Sequence, residues 1–304
     1  MGDGVEIWKG SVESWECDIM GHMNVGFYVV RATEALMGLA AELGMPRAFS
    51  PDALSTLMVG EHHIRFIREA RPGVGLTMTG GVLEMGESDA RLSMILRHSG
   101  GEIAASFETT VSHVTTRDGR PFPWPERVRA RAEALRVEVP AGAGPRGLTP
   151  GPVNSQASGA RAEALGVMRT IMGAIQPADC DVFGRMRPEV FMSRISQGVQ
   201  NLFAGGRPGA NGAKRAGGAA VEYRLIYLAW PRAGDRIELR SGLSGTDARV
   251  RRLTHWLLDP ATGRPWGVSE AVVVSFDLDT RKVITLGDEA LAAAQAQVIE
   301  GLTL

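Results

Sequence analysis

Two aspartates stand at matching places in a repeated octapeptide. Residues 16–23 read Glu-Cys-Asp-Ile-Met-Gly-His-Met and residues 179–186 read Asp-Cys-Asp-Val-Phe-Gly-Arg-Met, an offset of 163 with four identities and two conservative exchanges. Asp18 and Asp181 each fall between a strand-like run and a helical one, where unpaired backbone amides and the helix dipole favour negative charge. An aspartate before a helix is most often a cap. Asp18, however, precedes the helical run by about six residues, with Gly21, His22 and Asn24 between, which is too early for ordinary capping. A carboxylate beside free helix-start amides can act as base or nucleophile while the amides hold an oxyanion, the arrangement that acyl transfer requires.

Other groups support less chemistry. Cys17 and Cys180 adjoin the aspartates, but a neighbouring carboxylate raises a thiol pKa, so both read as ordinary free thiols. His22, His62, His63, His98 and His113 lie in the first half of the chain and only His255 in the second. Strand alternation sets His63 and Arg65 on the face opposite His62 and Ile64, so one of the two histidines must face inward. No Cys or His pair has ligand spacing apart from the adjacent His62 and His63, and no metal or other cofactor is expected. The glycine-rich run Gly205–Gly218 has neither the Lys-Ser/Thr nor the strand context of a nucleotide loop and reads as a mobile loop.

The elements that position these residues repeat as well. Gly10 and Val12 match Gly173 and Ile175; Arg65, Ile67 and Pro72 match Arg224, Ile226 and Pro231; and Phe107–Val111 matches Ser269–Val273. The period is that of a whole domain. The expected organisation is therefore a duplicated domain, 1–139 and 168–304, joined by a linker at 140–167 whose Pro140–Pro152 segment is too rich in proline and glycine for helix or ladder. In the first copy a short strand near residues 6–13 precedes a long, largely apolar helix at 24–43, stopped by Gly44 and Pro46. Strand-like runs follow at His62–Ile67, Leu76–Met85, Arg91–His98 and Ile103–Val114, then a helical run at Glu126–Arg136 that Asp288–Val298 matches. One long apolar helix with five strands suggests an α+β arrangement, a sheet wrapped around a buried helix.

Composition narrows the partners. With 44% hydrophobic and 22% charged residues and a net charge of -1, the chain is globular and carries no electrostatic footprint for nucleic acid. Only Lys9, Lys214 and Lys282 are lysines among 33 basic residues, a bias read as genomic. The first ten residues lack a basic, then apolar, leader and no run is long enough to insert in a membrane, so a cytoplasmic protein is expected. Two cysteines agree with a reducing compartment.

The stretch Asp18-Ile-Met-Gly-His22-Met-Asn24-Val-Gly-Phe-Tyr28 resembles the Asp-x-x-Gly-His-x-Asn-x-x-x-Tyr motif of hotdog-fold thioesterases of the 4-hydroxybenzoyl-CoA thioesterase type, and the duplication resembles a double-hotdog chain of that superfamily. The resemblance implies a tandem hotdog, each unit an antiparallel sheet around one long helix, paired as an intrachain pseudo-dimer, and either monomeric or assembled into a higher homo-oligomer. It implies hydrolysis of an acyl-CoA or acyl carrier protein (ACP) thioester, with Asp18 as nucleophile or base, amides near Val25 and Gly26 as oxyanion donors, and His22 and Asn24 orienting water, Asp18 or the acyl chain. Gly21, Val25, Gly26, Tyr28 and His63 are the expected substrate contacts, and Trp15, Met20, Phe27, Tyr28 and Met58 could line an acyl pocket or belong to the core. The family often has Asn-Asn where this chain has Asn24-Val25, which weakens inference about substrate. The second copy has Arg185, Arg187 and Pro188 where the first has His22, Asn24 and Val25, and proline has no N–H to donate. The Asp181 site is accordingly expected to be weaker, silent or devoted to binding. Two competing readings are a hotdog dehydratase or hydratase, whose Gly-Asp-x-Asn-Pro-x-His pattern is missing here, and a non-catalytic module that binds acyl-CoA.

Overall fold

A computed structural model describes residues 4–202, 216–277, 279–280 and 282–304. The chain divides into two compact units, one formed by Met1–Pro145 with Cys180–Val190, the other by Arg146–Asp179 with Phe191–Leu304. Among the described residues no helix is long and apolar enough to cross a membrane.

The first unit holds β1 (Val5–Ser11), α1 (Val25–Glu42), β2 (Ser55–Phe66), β3 (Gly75–Met85), β4 (Asp89–His98), β5 (Ile103–Thr115) and α2 (Glu126–Ala134). Its strands form an antiparallel sheet in the order β1-β3-β4-β5-β2. Along α1, Tyr28, Val29, Ala32, Ala35, Leu36, Leu39 and Ala40 recur at the spacing of one helix face and are buried. That face lies against β1 and β3. The approach is close enough to demand glycine: a Cβ on Gly38 would stand 2.3 Å from the Ile7 carbonyl oxygen.

Two boundaries differ from the sequence expectation, each for a local reason. Strand β2 begins at Ser55, well before His62, because Gly60 sits in a bulge where the register with β5 shifts between Val59 and Glu61. A bulge resets the apolar alternation from which a strand is recognised. In addition, His62, His63 and Ile64 are all buried, so β2 is covered on both faces and both histidines face inward. Helix α2 ends at Ala134 because the chain turns onto β3, where Val82 N–H donates to the Leu135 carbonyl at 2.9 Å and Val137 N–H to that of Val82 at 3.1 Å.

The second unit holds α3 (Gly159–Ala164), β6 (Met168–Ala174), most of α4 (Pro188–Leu202), β7 (Ala216–Tyr227), β8 (Arg236–Thr246), β9 (Val250–Leu258), β10 (Pro265–Asp277) and α5 (Asp288–Gln295). Its antiparallel sheet runs β6-β8-β9-β10-β7, the same order as the first. Even the irregularities recur. The first-strand pairing breaks register between Glu6 and Trp8 in one unit and between Arg169 and Ile171 in the other. Likewise the next pairing slips between Val82 and Glu84, and between Leu243 and Gly245. Gly217 and Gly218, expected in a loop, belong to β7; residues 205–212 of that expected loop lie outside the described residues. Helix α5 is shorter than its expected run, because the chain loosens after Gln295 and Ile299 N–H donates to the Leu243 carbonyl at 2.8 Å.

Residues 137–158 contain neither helix nor strand, yet they are firmly held. In the first unit Arg65 Nη1 donates to the carbonyls of Gly142 (3.0 Å) and Gly144 (2.8 Å). In the second, its sequence match Arg224 donates to Thr149 (2.9 Å) and to Gly151, while the Glu222 carboxylate accepts from the amides of Arg146, Gly147 and Leu148. Helix α3 then begins on a Ser158 cap, whose hydroxyl accepts from Arg161 N–H at 3.2 Å. Ala157, Ala162 and Val167 pack into a buried cluster with Trp256, Leu258, Val268 and Leu302. Part of the stretch read as linker is thus core of the second unit.

Candidate active site

The loop carrying Asp18 is built from both ends. After β1, residues Ser14–Glu16 make one 3-10 turn closed by a reciprocal cap between Glu13 and Glu16. The buried Glu16 carboxylate accepts from Glu13 N–H at 2.9 Å with one oxygen and pairs with Arg31 of α1 through the other. From Cys17 to Met23 the chain forms a tight hairpin: the two ends bridge, Asp18 N–H donates to the His22 carbonyl and Gly21 N–H to that of Asp18, both at 3.0 Å. Gly21 supplies the positive φ of 77° that this turn needs. Met23 N–H then donates to the Ala70 carbonyl at 2.8 Å, which brings the segment after β2, and Glu69 with it, alongside.

Around Asp18 the polar groups are few. One carboxylate oxygen, Oδ1, accepts from Met20 N–H at 2.8 Å and lies 3.6 Å from His22 Nδ1. The other, Oδ2, takes no hydrogen bond from the described residues. His22 stands between two carboxylates, since its Nε2 is 3.9 Å from Glu69 Oε1 and makes no hydrogen bond of its own. Glu69 is in turn 3.8 Å from Arg71 Nη2. Burial, and then the Asp18 and Glu16 carboxylates, raise the Cys17 thiol, which makes it a poor nucleophile.

The helix start decides the amides. Asn24 is the N-cap of α1, and its Oδ1 accepts from Gly26 N–H at 2.9 Å. Gly26 is thereby withdrawn as an oxyanion donor, a correction to the sequence reading; an asparagine that caps and one that orients substrate look alike in sequence. At Val25, the first helical residue, the N–H meets no acceptor among the described residues. It is one of the orphan donors of a helix N-terminus. Tyr28 is buried and packs edge-on against Phe66 at 5.0 Å; its hydroxyl, pushed well up by burial, bonds the Ala70 backbone and lies near enough to Glu69, Cys17 and Asp18 to feel their charge. His63 lies within β2 opposite Glu108, almost fully buried. Its neighbour His62 has its Nδ1 2.8 Å from the Thr109 hydroxyl and is driven down to about 3 by burial.

The second copy keeps the scaffold and changes the chemistry. Cys180 and Met186 bridge, Gly184 has φ 75°, and Gly184 N–H donates to the Asp181 carbonyl at 3.0 Å. Asp179 accepts from Gln176 N–H at 2.9 Å and pairs with Arg194 at 3.0 Å, matching Glu16, Glu13 and Arg31 at the same offset of 163. Here, however, both oxygens of the repeated aspartate are occupied. Asp181 Oδ1 accepts from the amides of Phe183 (2.8 Å) and Arg185 (2.9 Å), and Oδ2 takes the Arg185 guanidinium at 3.2 Å. Pro188 begins α4 without an N–H, and at Gly26's position stands Glu189, buried, hydrogen-bonded by the Thr33 hydroxyl (3.1 Å), paired with Arg187 (3.0 Å) and raised by burial.

The structure thus gathers Asp18, Gly21, His22, Asn24 and Val25 in one loop and helix start, and adds Glu69, Glu16 and Arg31, which sequence reasoning missed. The ion pairs could have been found from the repeat, since Glu16–Arg31 and Asp179–Arg194 share one spacing. Glu69 has no such signal, because its counterpart is Leu228. Among the described residues no group of three or more His, Cys, Asp or Glu is placed to hold a metal ion.

A family model described as the thioesterase-like superfamily matches residues 12–132 and again 175–294. The chain belongs to the thioesterase-like superfamily. It is a tandem hotdog protein, and the chemistry of that superfamily is thioester hydrolysis. Among solved structures, a Lactobacillus plantarum protein assigned as an oleoyl thioesterase is 12% identical with a TM-score of 0.69, covering 94% of this chain and 98% of its own. An acyl-ACP thioesterase from Bacteroides thetaiotaomicron is 9% identical with a TM-score of 0.66, covering 88% and 96%. A 12:0-ACP thioesterase from Umbellularia californica is 13% identical with a TM-score of 0.64, covering 88% and 92%. At these identities the likeness is one of fold. No curated protein matches the chain in sequence.

Proposed function

We propose that this enzyme hydrolyses an acyl-CoA or acyl-ACP thioester at the Asp18 loop, and that the Asp181 loop is silent. The observation that carries the reading is Asp18 Oδ2, a carboxylate oxygen that takes no hydrogen bond from the described residues, in a loop that ends at a helix start whose Val25 N–H likewise meets no acceptor among them. In one route Oδ2 takes a proton from an attacking water and passes it to the departing thiolate. In the other Oδ2 attacks the thioester carbon, the thiolate leaves, and a water then hydrolyses the acyl–Asp18 anhydride and supplies the proton that makes the thiol. In both, the carbonyl oxygen gains the charge and the Val25 amide stabilises it. His22, flanked by Asp18 and Glu69, orients Asp18 or the water. Asn24 shapes the helix start rather than touching substrate. Cys17 and Cys180 remain free thiols, in keeping with the reducing cytoplasm in which we place the protein.

Thiol release from a panel of acyl-CoAs, read with a thiol dye, tests the reading. Turnover that Asp18→Asn abolishes supports it. If no acyl group is turned over while acyl-CoA still raises the melting temperature, the chain is a binding module instead. Single turnover in labelled water separates the two attacks, because only a nucleophilic Asp18 acquires the label in its own carboxylate.

A further inference from the structure

Among the described residues, two of the most exposed large apolar side chains flank Asp18. Trp15 is 73% exposed and Ile19 79% exposed. Of six tryptophans, all among the described residues, Trp15 alone is exposed. Neither is loosely held. Trp15 rides on the 3-10 turn that the Glu16–Arg31 pair anchors, so Glu16 is fixed inward and its neighbour outward. Ile19 occupies the first corner of the Asp18–Gly21 turn, with Asp18 in the preceding position that such turns favour for aspartate. The second copy carries Ala178 and Val182 at these places, beside an aspartate that Arg185 already neutralises. Exposed apolar bulk is thus greater at the loop whose carboxylate keeps one oxygen unengaged by the described residues.

The charge around the lip indicates which part of a thioester meets it. Glu13 and Glu69 are exposed and Asp18 partly so, while the exposed arginines on either side of Glu69 are drawn to carboxylates, Arg68 to Glu102 and Arg71 to Glu69. Carboxylates repel the phosphates of CoA and any acidic carrier surface, but are indifferent to a hydrocarbon chain. We propose that Trp15 and Ile19 form an apolar lip over which the acyl chain crosses to reach Asp18, so that the substrates are thioesters of aliphatic chains long enough to span it. The inference rests on the hydrolytic reading of the Asp18 loop and adds the substrate class.

The test is the kinetics of Trp15→Ser and Ile19→Ser on acetyl-CoA and on palmitoyl-CoA below its micellar concentration, with Leu54→Ser, an exposed apolar residue elsewhere, as control. Burying two methylenes against the lip is worth on the order of a tenfold change in KM. The expected result is a KM for palmitoyl-CoA about tenfold higher at unchanged kcat, with acetyl-CoA and the Leu54 variant unaffected. Equal changes for both substrates, or none for palmitoyl-CoA, would overturn it. A second readout separates this failure from failure of the hydrolytic reading: the emission difference between Asp18→Asn and Asp18→Asn/Trp15→Phe reports on Trp15. A blue shift on adding palmitoyl-CoA supports the lip even if no thioester is turned over, and no shift overturns it whatever the turnover.

Discussion

The hairpins at residues 17–23 and 180–186 have nearly the same backbone and opposite electrostatics. In each, a glycine at positive φ closes the turn, a cysteine and a methionine bridge, and an acid before the loop is tied to an arginine one helix further on. What separates them is residue 22 against residue 185. A guanidinium donates from fixed positions and always carries charge, so it holds Asp181; His22 stands 3.6 Å from Asp18 and leaves one oxygen unengaged. Arg185 occupies Asp181 through both its amide and its guanidinium, and Pro188 has no N–H where Val25 has one. The two loops keep the same turn and bridge while residues 22, 24, 25 and 26 differ from 185, 187, 188 and 189.

The largest test of that contrast is the pair Asp18→Asn and Asp181→Asn. Thiol release should fall about a thousandfold in the first and stay near wild type in the second; equal losses would erase the distinction. The structural counterparts should differ too. Arg31→Ala strands the buried Glu16 and should lower unfolding free energy by about 3 kcal/mol, whereas Arg194→Ala, in a partly exposed pair, should cost about 1 kcal/mol, both read by urea denaturation. His22→Arg places the second copy's residue in the first copy's loop. An arginine there should occupy Asp18 and reduce kcat/KM about a hundredfold with melting temperature retained.

A smaller effect compares the units as wholes. Burial lowers His62 in one and His255 in the other to about 3, so both are neutral when folded and take up protons on unfolding. Their contribution is complete above their unfolded pKa of about 6.5 and is lost as pH falls from there towards 3, near 2 kcal/mol for each by pH 5. Unfolding followed between pH 7 and 5 should lose one proton of pH dependence in His62→Gln and one in His255→Gln. The smallest expected effect is at Glu69, whose carboxylate stands 3.9 Å from His22 Nε2: Glu69→Gln should lower kcat about tenfold at constant KM, and Glu69→Asp should recover part of it.

Much of this is legible in the amino-acid sequence alone. The doubled octapeptide, with strands in the same order on either side, carries the fold, and the asymmetry of His22 and Val25 against Arg185 and Pro188 carries the difference between copies. Where sequence and structure part, the causes are physical. Asn24 serves its own helix through Gly26, a local bond that residue type alone does not distinguish from a contact to substrate. The upstream half of β2 is hidden because a bulge at Gly60 breaks the alternation, and the burial of both His62 and His63 follows from a strand covered on two faces. Glu69 is invisible in the sequence because position in space, not repetition or motif, brings it to His22.

Arg65 and Arg224 occupy matching places in the two copies, so they descend from one residue of the unit that was duplicated. Arg65 donates to the carbonyls of Gly142 and Gly144 in the first unit and Arg224 to those of Thr149 and Gly151 in the second. One repeated residue thus anchors both ends of the connecting stretch, so a chain without a helix or strand between residues 137 and 158 is held by side-chain charge in place of a ladder.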